Sequence, residues 1–177
     1  MDIVKEVKLA KRGDREAFVR LVKHVEGSLH NTARSIVKKD EDVADALQET
    51  VLKAFKSLDS LREPTFFKTW IFRILINECR SILAKRSQVV PVSDIPTASS
   101  ASKDYENVEL REIVDGLDEQ QRLVIVLYYF EDMPLRQVAE TLDLSESAVK
   151  MRLSRARNAL MEKMKTFQEG KIGYGSL

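Results

Sequence analysis

Ser147, Met151, Ser154 and Asn158 fall on one side of a helix when the segment after Ser145 is plotted at about 100° per residue, with Lys150 and Arg155 flanking them. Val149, Leu153, Ala156 and Leu160 form a narrow apolar stripe on the other side, and Arg152 and Arg157 lie nearer that stripe. Short polar side chains let a helix approach base edges, while long cations at its borders anchor it on phosphates. This face therefore suits entry into a duplex DNA groove. The cations alone read equally well as a solvated basic helix end.

The preceding residues supply the element that would position this helix. Leu135, Val138, Ala139 and Leu142 recur at helical spacing after Pro134, which suits a first turn. Asp143-Leu144 makes a short turn with Leu144 pointing inward. Ser145 is a good N-cap for the second helix, and Glu146 suits its positive end. Helix, turn and helix together favour DNA binding over the bland reading.

Two further constellations stand in the first half. On the helix expected from about Phe66, the polar strip holds Arg73, Asn77, Arg80 and Ser81, with Trp70 at its edge. A ring can stack on an unpaired base, Asn can read a base edge and Arg can hold phosphate, which suits single-stranded nucleic acid. Phe67 belongs to the broad apolar arc with Ile71, Ile74, Leu75, Cys79 and Ile82, and reads as core. Asp40 to Glu49 carries five acids and no base. There Val43, Leu47, Val51, Ala54, Phe55 and Leu58 form the expected buried side, and Asp42, Asp45 and Glu49 point outward. Leu52, beside Gln48 and Asp45, is an apolar anchor with a charged rim, suited to docking a protein. Charge alone favours a merely solvated helix start.

Enzymatic chemistry finds little support. The two histidines, His24 and His30, lie on different faces of a helix, without a cysteine or carboxylate at metal-ligand spacing. No phosphate loop or dinucleotide fingerprint is present, so no metal and no cofactor is expected. Cys79, the single cysteine, reads as a packed small hydrophobe, and it rules out an internal disulfide.

These groups must be carried by helices. The 177 residues are 32% charged with a formal net charge of +1, which implies local patches of opposite sign rather than a uniformly basic surface. Helical periodicity runs from Ile3 to Lys85 and from Val108 to Lys165, and strand patterns are weak. Ser87 to Asn107 is rich in serine and holds two of the four prolines, the composition of a flexible tether. The expected fold class is all-α, two small helical domains joined by a flexible linker, the second containing a helix-turn-helix. The boundaries are residues 1–86, a linker over 87–107, residues 108–166, and a frayed tail over 167–177. No apolar run could span a membrane and no signal-peptide pattern opens the chain, so a cytoplasmic protein without direct membrane insertion is expected.

DVADALQETVLKAFKSLDSLR, then FFKTWIFRILINECRSILAKR, then LDEQQRLVIVLYYFEDMPLRQVAETLDLSESAVKMRLSRARNAL together resemble the bacterial RNA polymerase sigma factors of the extracytoplasmic-function group. The likeness runs from Gly13 to Met164, with both domains in order and the linker between them. It implies a non-enzymatic protein that binds core RNA polymerase and directs promoter-specific initiation. It further implies that Asp42, Asp45, Gln48, Glu49 and Leu52 dock on the β′ clamp helices, against the charge-only reading of that face. The loop Asp59 to Phe66, with Arg62 and Phe66, and the helix with Trp70, Arg73, Asn77 and Arg80 would capture flipped bases of the −10 element. Ser147, Lys150, Met151, Arg152, Ser154 and Arg155 would face the −35 duplex. The β subunit and an anti-sigma factor are further implied partners. Ser81 stands where many members have Asp, and Glu63-Pro64 where smaller or more flexible residues are common. Without the resemblance, the same residues also fit a free-standing regulator dimerising on a repeated operator, or a helical adaptor with no salt-dependent DNA affinity.

Overall fold

The computed structural model describes residues 1–89 and 105–173, with side chains described over 1–88 and 110–166. The described residues contain helices and turns and no strand, as the periodicity predicts. In order they are α1 (Ile3–Lys11), α2 (Arg15–Val37), α3 (Asp40–Ser57), α4 (Phe67–Val89), α5 (Tyr105–Asp115), α6 (Glu119–Ile125), α7 (Leu135–Leu142) and α8 (Glu146–Gly173). Two 3-10 turns, Leu58–Ser60 and Pro64–Phe66, join α3 to α4, and a π-helical turn, Val126–Phe130, follows α6.

Helices begin where a short acceptor side chain can reach a free backbone N–H. Asp2 accepts from Lys5 N–H and Asp14 from Ala17 N–H, each at 3.0 Å. Asp118 does the same for Gln121 at 3.0 Å. Each bond satisfies one of the donors that a first turn leaves without a partner. Helix α3 begins on Lys39 without such a cap, but Asp40, Glu41 and Asp42 occupy its first turn, where negative charge is favoured. Between α1 and α2 the chain reverses at Gly13, whose φ of 97° only glycine adopts cheaply.

The chain divides into two compact units. In the first, α2, α3 and α4 all pack on one another and α1 packs on α2. Phe18, Leu21, Val25 and Leu29 of α2 meet a core that includes Val43, Ala46 and Ala54 of α3. Helix α4 contributes Phe67, Ile71, Phe72, Leu75, Ile76 and Cys79, all at 0% exposure. Its broad apolar arc has a simple cause: α4 packs against two helices at once. Cys79 and Phe67 are core, as their positions on the wheel predict. Arg20 of α2 clamps α1 by donating from Nε and Nη2 to Glu6 Oε2, at 3.1 and 2.8 Å. That hydrogen bond raises the Arg20 pKa above its usual value, so the guanidinium remains charged.

The second unit is built on α5, α6, α8 and most of α7. Helix α6 packs along α8, and α5 touches both. Arg122 is buried and donates from Nη1 to the carbonyls of Asp115 at 2.7 Å and Leu117 at 3.1 Å. These carbonyls end α5 and the turn after it, so a buried cation satisfies acceptors that the helix leaves over.

Two boundaries differ from those read in the sequence. Helix α4 continues to Val89 and α5 begins at Tyr105, so helix reaches into both ends of the 87–107 segment; residues 90–104 lie outside the described residues. The tail expected from 167 is helical through Gly173, because α8 continues past the apolar stripe that predicted it. No described helix is long and apolar enough to cross a membrane.

Candidate functional site

Three exposed faces carry the residues singled out in the sequence. The first is on α8. Helix α7 ends on Asp143, which takes the left-handed conformation at φ 56°, a region that Asp tolerates better than most residues. The N–H of Leu144 then bonds the carbonyl of Ala139 at 2.9 Å, closing the turn with Leu144 half-buried. Ser145 Oγ accepts from Ala148 N–H at 3.1 Å and starts α8 as its N-cap. Val138, Ala139 and Leu142 are buried on α7, and Val149, Leu153 and Ala156 on α8. That fixes the rotation of α8. Ser147, Lys150, Met151, Ser154, Arg155 and Asn158 are exposed, and Arg152 is half-buried. Met151, at 54% exposure, is an apolar group in an otherwise polar and cationic face.

Arg157, which the wheel places where a long side chain can reach phosphates, is exposed and tied to the π-helical turn. Its Nε donates to the Tyr129 hydroxyl at 2.7 Å, and the guanidinium lies 5.6 Å from the Tyr129 ring centroid. Tyr129 stands edge-on to Tyr128 at 4.9 Å. The π-helical turn thus presents Tyr129 and Phe130, each 47% exposed, on a surface that α8 braces.

The second face is on α4 and the loop before it. Arg73, Asn77, Arg80 and Ser81 are exposed on the side of α4 away from its core residues. Trp70 is half-buried, tilted against Phe67 with centroids 6.1 Å apart, so one part of the indole is anchored and the other is open. Phe66 is half-buried as well, while Arg62 and Glu63 are exposed at the tip of the loop. Lys68 Nζ sits 5.6 Å from the Phe72 ring centroid. The strip combines a partly open ring, an amide and cations, the set that holds an unstacked base and its phosphate.

The third face is the outer side of α3. Asp45, Gln48, Glu49 and Leu52 are exposed, Leu52 at 43%. Asp42 is not among them. Its place on the helical wheel points it outward with Asp45 and Glu49, but its side chain is only 7% exposed and pairs with Arg86 Nη1 at 3.0 Å. The approach lies off the hydrogen-bonding direction, so this is a Coulombic pair. The cause is the length of α4, which continues to Arg86 and beyond and brings a cation over the start of α3. Phe55 is the opposite correction. Expected in the core, it is 51% exposed, with its ring edge-to-face on Phe18 at 5.2 Å. Leu47 and Val51, also assigned to the buried side, are half-exposed and line a shallow apolar groove with Val22, Leu29 and Leu52, rimmed by Gln48 and Glu26. The wheel could not separate these positions, because a residue at the margin of a helical stripe is buried or open according to where the neighbouring helix ends. Lys53, beside this face, is ion-paired with Glu78 of α4.

His24 and His30 are both exposed on α2, and the described residues hold no group of histidine, cysteine and carboxylate side chains that could bind a metal.

A family model described as Sigma-70 region 2 matches residues 21–89, and one described as Sigma-70, region 4 matches residues 107–160. The RNA polymerase sigma factor SigV of Bacillus subtilis (strain 168) is 32% identical over 130 residues, 72% of this chain and 78% of that protein. The ECF RNA polymerase sigma-E factor of Escherichia coli (strain K12) is 29% identical over 176 residues, 89% of this chain and 92% of its own. The chain belongs to the extracytoplasmic-function group of RNA polymerase sigma factors. As a sigma factor it serves promoter-specific transcription initiation by RNA polymerase. Its fold is shared with CnrH, solved in complex with the cytosolic domain of CnrY: TM-score 0.71, 28% identity, 93% of this chain and 97% of that one. The sigma factor RpoE of Bartonella quintana, solved in complex with the anti-sigma factor NepR, gives a TM-score of 0.71 at 27% identity, covering 84% and 96%. The region 2 match of this sigma factor contains the α3 and α4 faces, and the region 4 match contains the helix-turn-helix.

Proposed function

We propose that the three faces divide the work of initiation. Asp45, Gln48, Glu49 and Leu52, extended by Phe55, dock α3 on the β′ clamp helices of core polymerase. Arg62, Phe66, Trp70, Arg73, Asn77 and Arg80 capture unpaired −10 bases. Ser147, Lys150, Met151, Arg152, Ser154 and Arg155 read the −35 duplex. Asp42 is left out of the docking set because its carboxylate is buried against Arg86. The functional domains are residues 1–86 and 108–166, with 87–107 as the tether and 167–177 as the tail. The β subunit is a further polymerase partner.

The observation that carries this reading is the exposed strip of α4. Arg73, Asn77 and Arg80 stand in a row on a helix whose other side buries Ile71, Phe72, Leu75, Ile76 and Cys79, so the strip is rigidly presented. A rigid surface that accepts flipped bases favours the melted strand over the duplex, each stacked base contributing about 1–3 kcal/mol. Melting follows from binding, and the protein performs no covalent step. Each reader is small and weak alone. Held together on polymerase, the second contact becomes intramolecular and gains through effective concentration. The protein acts in the cytoplasm, where polymerase and promoter are. An anti-sigma factor covering the α3 face would keep it idle; the NepR complex of RpoE supports such a partner.

Run-off transcription with purified core polymerase and genomic templates tests the reading. Initiation at discrete promoters should require this protein, and Asn77→Ala should harm open-complex formation, read by permanganate footprinting, more than closed-complex binding. No RNA from any template, with the protein folded, overturns it.

A further inference from the structure

The loop between α3 and α4 is held by a residue fifty positions upstream. Lys11, in the last turn of α1, places Nζ 2.7 Å from the carbonyl oxygen of Leu61 and 3.4 Å from that of Asp59. The loop's own bonds are local. Leu61 N–H closes the first 3-10 turn on Leu58 at 3.1 Å, and Phe66 N–H closes the second on Glu63 at 3.0 Å. Between them Leu61 and Glu63 are extended, at φ −70°, ψ 99° and φ −109°, ψ 112°. Single 3-10 turns are weak elements, and neither bond fixes one turn against the other. Helix α1 does both. Lys11 binds the first turn and its exit, and the helix packs against the second turn, Pro64–Phe66. Helix α1 is itself fixed to α2 by the Arg20–Glu6 clamp and by Val7, which is wholly buried.

We propose that Lys11 is a positioning residue for −10 recognition: its ammonium, bound to the Asp59 and Leu61 carbonyls, fixes the loop that presents Arg62 and Phe66 to unpaired bases. The inference rests on the base-capturing role assigned above to that loop. Two carbonyl oxygens converge on one cation, just before the exposed tip at Arg62 and Glu63. A charge-assisted bond to a carbonyl is stronger than a neutral one. Without it the loop samples other arrangements, and apparent affinity for the base falls with the competent fraction.

The experiment compares wild type, Lys11→Met and Lys11→Arg as full-length protein with core polymerase. Lys11→Met keeps most of the aliphatic stem and loses the donor; Lys11→Arg restores the cation. On a promoter with a pre-melted −10 region, Lys11→Met should lose about tenfold in affinity, as removal of one charged hydrogen bond implies, and Lys11→Arg should recover most of it. Core binding should be unchanged, and hydrogen exchange should speed up in Leu61–Phe66 but not in α2 or α4. A pool of templates randomised at −10 should give a flatter base preference with Lys11→Met. The salt dependence should keep the wild-type slope, because Lys11 touches carbonyls and not DNA; a slope smaller by about one would make it a phosphate contact and overturn the proposal. Wild-type affinity and preference in Lys11→Met also overturn it, as does exchange that speeds up throughout the first unit. If wild type itself shows no preference for a melted −10 region, the loop's role fails, and that result is distinct from either.

Discussion

Replacing Leu52 and Phe55 together by alanine removes two large apolar side chains that α3 leaves 43% and 51% exposed. Full burial of a Leu or Phe side chain stabilises by about 1.5–3 kcal/mol. Roughly half of each is already buried in the free protein, so docking can gain about 1–1.25 kcal/mol from each, or about 2–2.5 kcal/mol together. At about 1.4 kcal/mol per tenfold, affinity for core polymerase should fall roughly 30–60-fold. Within the fold, Phe55 meets the Phe18 ring edge-to-face at 5.2 Å. An edge-to-face pair of that kind adds about 0.5–1.5 kcal/mol beyond area burial. The assay is equilibrium binding of labelled full-length protein to core polymerase, well below its melting temperature, at two salt concentrations. The loss should be nearly independent of salt, because it is apolar. By contrast, Asp45→Lys with Glu49→Lys should weaken binding in a salt-dependent way, since both carboxylates are exposed. A Leu52→Ala, Phe55→Ala protein that folds and binds core within about threefold of wild type would refute the apolar anchor.

Arg155→Ala should reduce −35 recognition by about 1–3 kcal/mol if its exposed guanidinium makes a bidentate base contact; competition between specific and scrambled duplex decides, since equal losses on both would assign it to phosphate. The Asp42–Arg86 pair should respond asymmetrically. Arg86→Met strands a carboxylate that is 7% exposed, whereas Asp42→Asn releases a guanidinium that is 38% exposed and can turn to water. Thermal unfolding should therefore show the larger loss for Arg86→Met, about 2–3 kcal/mol against about 1 kcal/mol or less once solvent screening of Arg86 is counted; equal losses would refute the buried-charge argument.

Much of this protein was legible in its sequence because helices repeat locally. The stripes Val149, Leu153, Ala156 and Phe67, Ile71, Leu75 fix which side of α8 and α4 is buried, and so which side offers Ser154 and Arg155, or Asn77 and Arg80, to solvent. The cap at Ser145 and the turn at Asp143 are equally local, since each needs only its neighbours in the chain. Three features were decided by tertiary structure alone. Asp42 turned from an outward acid into a buried partner because α4 is long enough to bring Arg86 to it. Phe55, expected in the core, stands 51% exposed at the edge of the apolar stripe of α3, with one ring edge resting on Phe18. Lys11 reaches the carbonyl of Leu61, fifty residues away, because α1 lies against that loop. Periodicity states which face of a helix is apolar, but not how far its neighbour extends; where one helix ends against another determines which marginal residues meet water and which distant ones meet each other.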